Sequence, residues 1–354
     1  MKSTDILIIG GGLSGLMTAY LLEKENARDV YILEARNRLG GRIFTLRNEG
    51  EATIEMGATW LGQNHTQLIE LLKELDIGVE EQRMGSHAFY EAMSMSPPQL
   101  IDLPQNDQPS YRIEGGTDSL IRGLSERLDK TNIQLGRIVT AIKAAENGLL
   151  VETETQKFEA DIVISTLPPR LLIDSVEFAP ELPQELINIA GKTHTWMGES
   201  IKVALTFDNP FWQNSGMSGT IFSNVGPINE MYDHSCDGRY ALKGFMNGAY
   251  KAVSKEERKR LVLEQLRKFY GDKADSYLTY NELVWTHEPF TFCDYSSQVI
   301  PHQNNGHHYF KEAYMENRFL LAGAETATTH PGYMDGAVES ARRVADRVKQ
   351  LMAG

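Results

Sequence analysis

A glycine-rich turn between a buried strand and a helix is the feature that most constrains the fold of this chain. The apolar run Asp5-Ile6-Leu7-Ile8-Ile9 is typical of a central parallel strand and leads into Gly10-Gly11-Gly12-Leu13-Ser14-Gly15. Apolar residues then recur at helical spacing. In such a turn Gly10 permits the tight bend, Gly12 lets the backbone approach a pyrophosphate, and Gly15 lets helix and strand pack closely. The helix N-terminus adds unpaired N–H groups and the positive end of a dipole.

A second strand, Val30–Leu33, ends at Glu34. A carboxylate at this place suits hydrogen bonds from a ribose hydroxyl and disfavours a 2′-phosphate. Strand, turn, helix, second strand and terminal acid therefore all agree with a dinucleotide site, in which Leu13 and Ser14 lie within the glycine motif. A glycine-rich turn can also exist without a ligand, and these residues alone leave open which dinucleotide is bound.

The composition limits the kinds of partner that we expect. A chain of 354 residues, with 41% hydrophobic and 23% charged residues, is long enough for two folded domains. The formal charge of −13 repels phosphate backbones and anionic lipid, so we expect neither nucleic acid nor a membrane as partner. The first residues lack the pattern of a signal peptide, and Cys236 and Cys293 imply no disulfide framework. We therefore expect a reducing, cytoplasmic location.

The segment that follows the ribose acid indicates which cofactor is bound. Two glycines and three arginines occur in Glu34-Ala35-Arg36-Asn37-Arg38-Leu39-Gly40-Gly41-Arg42-Ile43-Phe44-Thr45. A plain NAD-binding half-domain has no use for such a segment. It resembles the flavin-binding N-terminus of the flavin monoamine oxidase family, which also includes polyamine and L-amino-acid oxidases. The resemblance implies FAD, with Glu34 at the adenosine ribose, Arg36 and Arg42 on the pyrophosphate side, and Ala35 and Gly41 in the same binding segment.

The resemblance extends over most of the chain. Residues 55–62 are similar to the family segment that runs beneath the isoalloxazine ring, and residues 137–142 match a stretch whose backbone meets the adenine. The run Phe319-Leu320-Leu321-Ala322-Gly323-Ala324-Glu325-Thr326-Ala327 and the run Gly332-Tyr333-Met334 precede a C-terminal helix that, in the family, points at the flavin. The further cofactor-binding residues that this resemblance implies are Gly57, Ala58, Thr59, Trp60, Val139, Gly323, Glu325, Tyr333 and Met334.

The resemblance also indicates the residues for chemistry. In the strand 201–207 apolar residues alternate, so Lys202 points away from that packed face. A lone strand lysine is usually solvated, but the matching family lysine holds a water at the flavin N5 edge, where a positive charge stabilises reduced flavin and developing oxygen anion. Tyr333 and Tyr295 are the candidates for two aromatic walls beside the amine, although Tyr295 could equally be a packed loop tyrosine. Trp285 matches a tryptophan near the ring.

Neither the cysteine near Tyr295 nor the histidines at 302–308 indicate a covalent flavin or a metal site. Some family members tether the flavin through a cysteine directly before the aromatic, but Asp294 occupies that place here and Cys293 lies one residue earlier. We therefore expect noncovalent FAD, with a thioether as the alternative. His302, His307 and His308 lack neighbouring ligands at metal spacing, so we expect no metal site.

The region that covers the substrate is short in this chain. Residues 94–110 are polar and contain Pro97, Pro98, Pro104 and Pro109, where larger relatives carry a helical insertion. We therefore expect a reduced substrate domain with an open cavity. Either the substrate is bulky, or this segment or a partner chain closes the site, and a homo-oligomer is one way to supply that chain.

The sequence thus predicts an α/β protein. It has a Rossmann-like, glutathione-reductase-like FAD-binding domain built from residues 1–79, 115–190 and 293–354, and a reduced α+β substrate domain on a mixed sheet from residues 80–114 and 191–292. The implied function is hydride transfer from the α-carbon of a small-molecule amine or amino acid to flavin, giving an imine, with molecular oxygen reduced to hydrogen peroxide. A flavin desaturase or dehydrogenase with another acceptor, or a non-catalytic FAD-binding protein, remains an alternative. A carboxylate-binding arginine would favour amino acids, but Arg83, Arg112 and Arg239 cannot be placed from sequence.

Overall fold

The structure is a computed structural model that describes residues 2–25, 29–104, 107–214 and 217–353. Its helices are α1 Leu13–Lys24, α2 Thr66–Glu74, α3 Asp118–Ser125, α4 Pro169–Ser175, α5 Gln184–Ala190, α6 Phe211–Asn214, α7 Lys255–Tyr270 and α8 Met334–Ala353. Its strands are β1 Lys2–Ile9, β2 Val30–Leu33, β3 Thr45–Leu46, β4 Ile54–Glu55, β5 Trp60–Leu61, β6 Val79–Glu81, β7 His87–Glu91, β8 Gln99–Asp102, β9 Tyr111–Ile113, β10 Asn132–Gln134, β11 Val139–Ala145, β12 Gly148–Thr153, β13 Lys157–Ser165, β14 Glu177–Ala179, β15 Ile201–Phe207, β16 Ile221–Ser223, β17 Ile228–Asp233, β18 Tyr240–Met246, β19 Tyr277–Val284, β20 Ala313–Tyr314 and β21 Phe319–Leu321.

The larger sheet has nine strands and is centred on β1. This strand pairs in parallel with β2 on one side and with β13 on the other, and β10 extends the sheet beyond β2. The long β13 pairs with β12 near its beginning and with β21 near its end, so β11, β14 and β20 complete the sheet.

Both faces of the second half of β1, residues 6–9, are buried, which explains the unbroken apolar sequence there. Ile6 and Ile8 belong to the core formed with helices α1, α2, α3 and α8, whereas Leu7 and Ile9 belong to the core formed with α4 and α5. Because side chains alternate along a strand, one short run of residues joins two separate cores. A mixed sheet with parallel central strands and helices on both faces confirms the predicted α/β class.

The second large sheet has seven strands in the order β19-β15-β18-β17-β16-β7-β8. All of its pairs are antiparallel except β16 with β7, so it is the mixed sheet that the sequence predicted. Helix α7 packs on one face, and residues Ala52, Ile54 and Met56 pack against the other. Consequently every residue of β15 is buried, including Lys202.

A buried ion pair fixes α7 to the seven-stranded sheet. The Arg258 guanidinium contacts the Glu282 carboxylate of β19, and the two side chains are only 6% and 5% exposed. Arg258 also donates hydrogen bonds to the carbonyls of Tyr250 and Val253, so its remaining N–H groups are satisfied by the loop before the helix. Removing one member of such a pair leaves a buried charge without a counter-ion.

We expect Arg258→Met to lower the free energy of unfolding by about 3–5 kcal/mol, because Glu282 would remain buried and unpaired. The matched control is Arg260→Met on the same helix, whose partners Glu257 and Glu264 are exposed. That change should cost at most about 1 kcal/mol. Urea unfolding of both variants tests the prediction, and equal losses would contradict it. The double variant Arg258→Met with Glu282→Met should recover much of the loss.

Candidate active site

A cavity of about 590 Å³ lies between the two large sheets. Its lining comes from the turn between β1 and α1, the segments 34–43 and 57–60, strands β15, β17 and β18, and residues 323–337. The predicted site residues that line it are Gly10, Gly12, Leu13, Ser14, Glu34, Arg36, Gly41, Arg42, Gly57, Ala58, Thr59, Trp60, Lys202, Trp285, Gly323, Tyr333 and Met334. Those that do not are Gly15, Ala35, Val139, Tyr295 and Glu325. The structure thus brings the three dispersed blocks of the chain together at one cleft.

Glycine is required by the protein itself at positions 10 and 15 of the first turn, but not at position 12. Gly10 has φ +105°, and a Cβ on Gly15 would lie 2.0 Å from the carbonyl oxygen of Gly10, so packing within the protein requires both. Gly12 has an ordinary φ of −78°, and a Cβ there would meet no protein atom nearer than 3.9 Å. Because neither strain nor packing demands glycine at position 12, the space beside it suits a ligand that approaches the backbone.

The N-terminus of α1 is also free to bind an anion. No side chain caps it, and its first turn contains no acidic residue. The unpaired N–H groups of a helix N-terminus and the helix dipole favour a phosphate. Together with the space at Gly12, this end of the helix fits the pyrophosphate of a dinucleotide.

Glu34 is held rigidly at the edge of the cleft. Its carboxylate accepts hydrogen bonds of 2.8 Å from the backbone N–H groups of Gly11 and Arg36. Ala35 lies between Glu34 and Arg36 in the second of these contacts. The N–H of Arg137 in turn donates to the Glu34 carbonyl, which brings the residues before β11 alongside this segment. Val139 begins β11 and is buried outside the cleft lining, just beyond that contact.

Both arginines that line the cleft are paired with carboxylates. Arg36 contacts Glu288 at 3.0 Å and also donates to the hydroxyl of Thr291. Arg42 makes two parallel hydrogen bonds to Glu325, at 2.6 and 2.8 Å. This bidentate geometry is the strongest kind of carboxylate contact, and it explains why Glu325 lies behind the lining instead of within it.

The two ends of the chain meet through buried serines. The backbone N–H of Gly323 lies 3.0 Å from the Ser14 hydroxyl and 3.1 Å from the Ser340 hydroxyl, and the two hydroxyls are 3.1 Å apart. Helices α1 and α8 therefore pack side by side beneath the cleft. Met334, the first residue of α8, consequently lies opposite the turn that begins α1.

Among the residues that the structure describes, Lys202 is the one lysine that lines the cleft. Its ammonium group donates a hydrogen bond to the Gly57 carbonyl and lies 5.2 Å from the centre of the Phe245 ring. Burial lowers the pKa of Lys202 to about 8, although the nearby Glu55 carboxylate acts in the opposite direction. Trp285 contacts the neighbouring residue of the segment that Lys202 binds: its indole N–H donates to the Met56 carbonyl at 3.0 Å.

A second buried lysine, Lys243, contacts Thr59 and Trp60 and was not predicted as a site residue from the sequence. Lys243 of β18 donates a hydrogen bond to the Thr59 hydroxyl and lies 4.8 Å from the centre of the Trp60 ring. Burial, followed by the positive charge of Lys202, holds the pKa of Lys243 well below its ordinary value. The sequence feature that could have identified Lys243 is its position inside the otherwise apolar run 240–246, because a lysine is unusual in a buried strand.

The aromatic wall beside Tyr333 differs from the prediction. Tyr333 is 36% exposed, and its ring centre lies 5.5 Å from that of Trp196, which also lines the cleft. Tyr295 lies outside the lining, where its hydroxyl oxygen accepts a hydrogen bond from the Thr195 N–H. Trp196 therefore lies beside Tyr333 in the cleft lining, and Tyr295 does not. His302 stacks on the other face of this wall, with its ring centre 4.0 Å from that of Trp196.

The described residues of the segment 94–110, which leave out 105 and 106, do not cover the cleft. None of its described residues lines that cavity, whereas Leu103 and Pro104 line a second cavity of about 1020 Å³ that also touches Gln82. The two cavities approach each other at one hydrogen bond of 2.8 Å, from the Trp60 indole N–H to the Gln82 side chain. The cleft is therefore left open by this segment.

Several other expectations can be placed in the structure. Cys293 is half-buried and does not line the cleft, and burial raises the pKa of its thiol. Within residues 2–25, 29–104, 107–214 and 217–353, no group of three or more His, Cys, Asp or Glu side chains is placed to hold a metal ion. No helix in this part of the chain is both long and apolar enough to span a bilayer.

Comparison with known proteins agrees with this geometry. Residues 13–94 and 84–349 match the model of the family described as flavin containing amine oxidoreductase. The chain belongs to this family. Among curated relatives, a probable flavin-containing monoamine oxidase A of Dictyostelium discoideum is 23% identical, and the alignment covers 98% of each chain. Amine oxidase [flavin-containing] B of Homo sapiens is 25% identical over 98% of this chain and 86% of its own length.

Solved structures show the same fold. A wild-type putrescine oxidase bound to putrescine superposes with a TM-score of 0.83, at 22% identity, over 98% of this chain and 99% of its own. Cyclohexylamine oxidase from Brevibacterium oxydans gives 0.84 at 17% identity, over 99% and 100%. As a member of the flavin-containing amine oxidoreductases, this chain is an FAD-dependent oxidoreductase that acts on CH–NH2 groups, and the predicted family, fold class and cofactor are confirmed.

The burial of Lys202 has a consequence for stability. Between about pH 8 and pH 10.5 the unfolded chain still binds the Lys202 proton and the folded chain does not, so the free energy of unfolding should rise with pH over this range. The contribution is about 3 kcal/mol. In Lys202→Met the rise should be smaller by that amount, because the other titrating groups are common to both proteins. Urea unfolding at several pH values measures the difference, and parallel curves for the two proteins would contradict the prediction.

Proposed function

We propose that this flavoprotein oxidises a neutral amine to an imine and uses molecular oxygen as its electron acceptor. When bound, FAD accepts a hydride equivalent from the amine α-carbon and passes the electrons to oxygen, which yields hydrogen peroxide. The observation that carries the proposal is Lys202, a buried lysine with a lowered pKa that lines the cleft of a flavin-containing amine oxidoreductase.

Lys202 can serve this reaction through its charge. Its pKa of about 8 leaves it mostly protonated at neutral pH, in a site from which water is largely excluded. A fixed positive charge in such a place stabilises negative charge that develops during oxygen reduction more effectively than it would in water. The hydrogen bond to the Gly57 carbonyl orients the ammonium group before the reaction begins.

The aromatic wall formed by Tyr333 and Trp196 supports the binding of an amine. Flat apolar surfaces exclude water from the reacting carbon and restrict the orientation of a small substrate. The exposed part of Tyr333 places this wall at the mouth of the cleft, where a substrate enters. The His302 ring stacks on the indole ring of Trp196 and restricts its orientation.

The arrangement favours amines over amino acids. Arg36 and Arg42, the arginines that line the cleft, are already paired with Glu288 and Glu325. The other three candidates lie elsewhere. Arg112 pairs with Glu80, Arg239 donates to the Glu51 carbonyl, and Arg83 lines the second cavity. No arginine therefore remains on the substrate side to bind a carboxylate in the described part of the chain.

The flavin is proposed to bind without a covalent bond. Cys293 does not line the cleft, and the raised pKa of its thiol disfavours the reactive thiolate. The expected result is that acid precipitation of the purified protein releases all of the yellow colour into the supernatant.

The first test is anaerobic reduction of the purified yellow protein. Alkylamines should bleach the visible flavin absorbance, whereas α-amino acids should not, because both arginines in the described lining of the cleft are already paired with carboxylates. Readmitted oxygen should restore the colour and give one hydrogen peroxide for each amine. Bleaching without peroxide would favour the dehydrogenase alternative, and no bleaching by any amine would favour the non-catalytic one.

The second test separates the two half-reactions with Lys202→Met. Reoxidation of the amine-reduced protein by oxygen should become about 100-fold slower, the usual effect of removing one group that stabilises developing charge. Lys243→Met is the matched control, since it removes a buried lysine from the same sheet face but not from the cleft lining. It should slow reoxidation far less. Equal effects of the two changes, measured by stopped-flow absorbance, would refute the role of Lys202.

A further inference from the structure

A second lysine lies beside Lys202 on the face of the seven-stranded sheet that meets the cleft. In the antiparallel pairing of β15 with β18, Lys202 is opposite Phe245 and Ala204 is opposite Lys243. Residues two apart in a strand point to the same face, so Lys202 and Lys243 are diagonal neighbours. Their side-chain nitrogens lie 5.2 and 5.8 Å from the centre of the same Phe245 ring. The two groups are therefore close enough for the charge of one to affect the other.

Both lysines are closed off from water, and each contacts the segment that lines the cleft. Lys202 is 5% exposed and Lys243 is 1% exposed. Lys202 donates a hydrogen bond to the Gly57 carbonyl, and Lys243 contacts the Thr59 hydroxyl. Thr59 belongs to the cleft lining, whereas Lys243 does not. Lys243 is thus connected to the cleft through one hydroxyl group, which can pass a proton because it both donates and accepts hydrogen bonds.

One buried carboxylate serves both lysines. Among the described residues, Glu55 is the one whose negative charge favours the protonated form of both Lys202 and Lys243. Burial raises the pKa of Glu55, but the hydrogen bonds that it accepts from the Thr117 N–H at 2.7 Å and the Thr45 hydroxyl at 2.8 Å oppose that rise. One negative charge can balance one lysine and not two, since a buried charge without a partner is costly.

The other groups around Lys243 disfavour a second proton. Burial holds the pKa of Lys243 well below its ordinary value, and the positive charges of Lys202 and Arg112 act in the same direction. Arg112 is itself paired with Glu80 at 2.7 Å. Burial also keeps the pKa of the neighbouring His234 well below its ordinary value, so this ring adds no charge. Lys202 therefore holds the proton in the resting site, and Lys243 is the uncharged amine.

Reduction of the flavin changes this balance. A hydride equivalent brings two electrons and one proton, so the reduced flavin adds one negative charge to the cleft. Negative charge in a site of low dielectric favours protonation of a nearby base. Lys243 is then the available base, because Lys202 already holds its proton. Oxygen later needs two electrons and two protons to become hydrogen peroxide, and the reduced flavin carries only one of these protons.

We propose that Lys243 stores the second proton of peroxide formation, binding it when the flavin is reduced and releasing it when oxygen is reduced. In the first step the amine gives a hydride to FAD and a proton, through the Thr59 hydroxyl, to the Lys243 nitrogen, and becomes the imine. In the second step oxygen takes two electrons and one proton from the reduced flavin and the other proton from Lys243. This inference rests on the proposed amine oxidation by oxygen and adds a proton-carrying residue.

The first test is the pH dependence of the flavin midpoint potential, which requires no amine. Reduction of the wild-type holoenzyme should take up two protons for two electrons between about pH 6.5 and about pH 7.5, so its potential should fall twice as steeply with pH as in a one-proton reduction. Lys243→Met should give the one-proton slope. The potential of the variant should therefore lie below that of the wild type at the lower pH, and the difference should narrow as the pH rises. Spectroelectrochemical titration measures both slopes.

The second test follows protons during reoxidation. Oxygen is mixed with the electrochemically reduced holoenzyme in weak buffer that contains a pH indicator. The wild-type protein should show almost no net proton uptake from solvent, because Lys243 supplies the proton. Lys243→Met should take up one proton for each flavin. Its rate of reoxidation should change far less than that of Lys202→Met, since Lys202 keeps its charge.

Two further variants separate proton binding by Lys243 from its packing. Lys243→Gln keeps a polar group beside Thr59 but cannot bind a proton at these pH values, so it should behave like Lys243→Met. It also carries both tests if the methionine variant fails to fold. Lys192→Met removes an exposed lysine outside the cleft lining and should behave like the wild type.

The outcomes distinguish this inference from the function on which it rests. A one-proton slope in the wild-type protein would overturn the inference, and so would a two-proton slope that survives in both Lys243 variants. Net uptake of one proton when the wild-type protein is reoxidised would overturn it as well. None of these results touches amine oxidation, because neither measurement uses an amine. If the reduced wild-type flavin does not react with oxygen, the inference and the proposed oxygen chemistry are overturned together.

Discussion

The cleft depends on a buried junction of three groups, the hydroxyls of Ser14 and Ser340 and the backbone N–H of Gly323. Both serines are buried, so water cannot replace a contact that is lost, and an unsatisfied buried donor is costly. The junction holds the first and last helices side by side. Because each helix begins at a cleft-lining turn, their alignment fixes the distance between the two ends of the site.

The parts of the site that could be predicted from sequence are those whose conformation is determined by residues close by in the chain. The turn between β1 and α1 requires glycine for steric reasons that act over a few residues, and the strand ending at Glu34 needs only a short apolar pattern. The same holds for residues 57–59, which lie against the cleft because their small side chains allow it. Seventeen of the predicted site residues therefore line one cavity, although they come from opposite ends of the chain.

The parts that could not be predicted depend on how distant strands align. Glu230, which lines the cleft, does so only because the register of β17 with β18 shifts just before it, and nothing in its own sequence marks that irregularity. Trp196 lies beside Tyr333 in the cleft lining, whereas Tyr295 lies outside it with its hydroxyl oxygen held by the Thr195 N–H. A lone lysine in a strand normally indicates a solvated face, yet residues 52–56 cover β15 and bury Lys202. In each case the deciding contact lies far away along the chain.

The late position of Gly323 and Ser340 in the chain has a consequence for biosynthesis. A nascent polypeptide that still lacks helix α8 cannot form the serine junction, and its first glycine turn has no opposite wall. Capture of the flavin must therefore follow the synthesis of helix α8. Until then, the apolar faces of α1 and of β1 that α8 covers stay exposed, and apolar surface exposed in this way promotes aggregation of an unfinished chain.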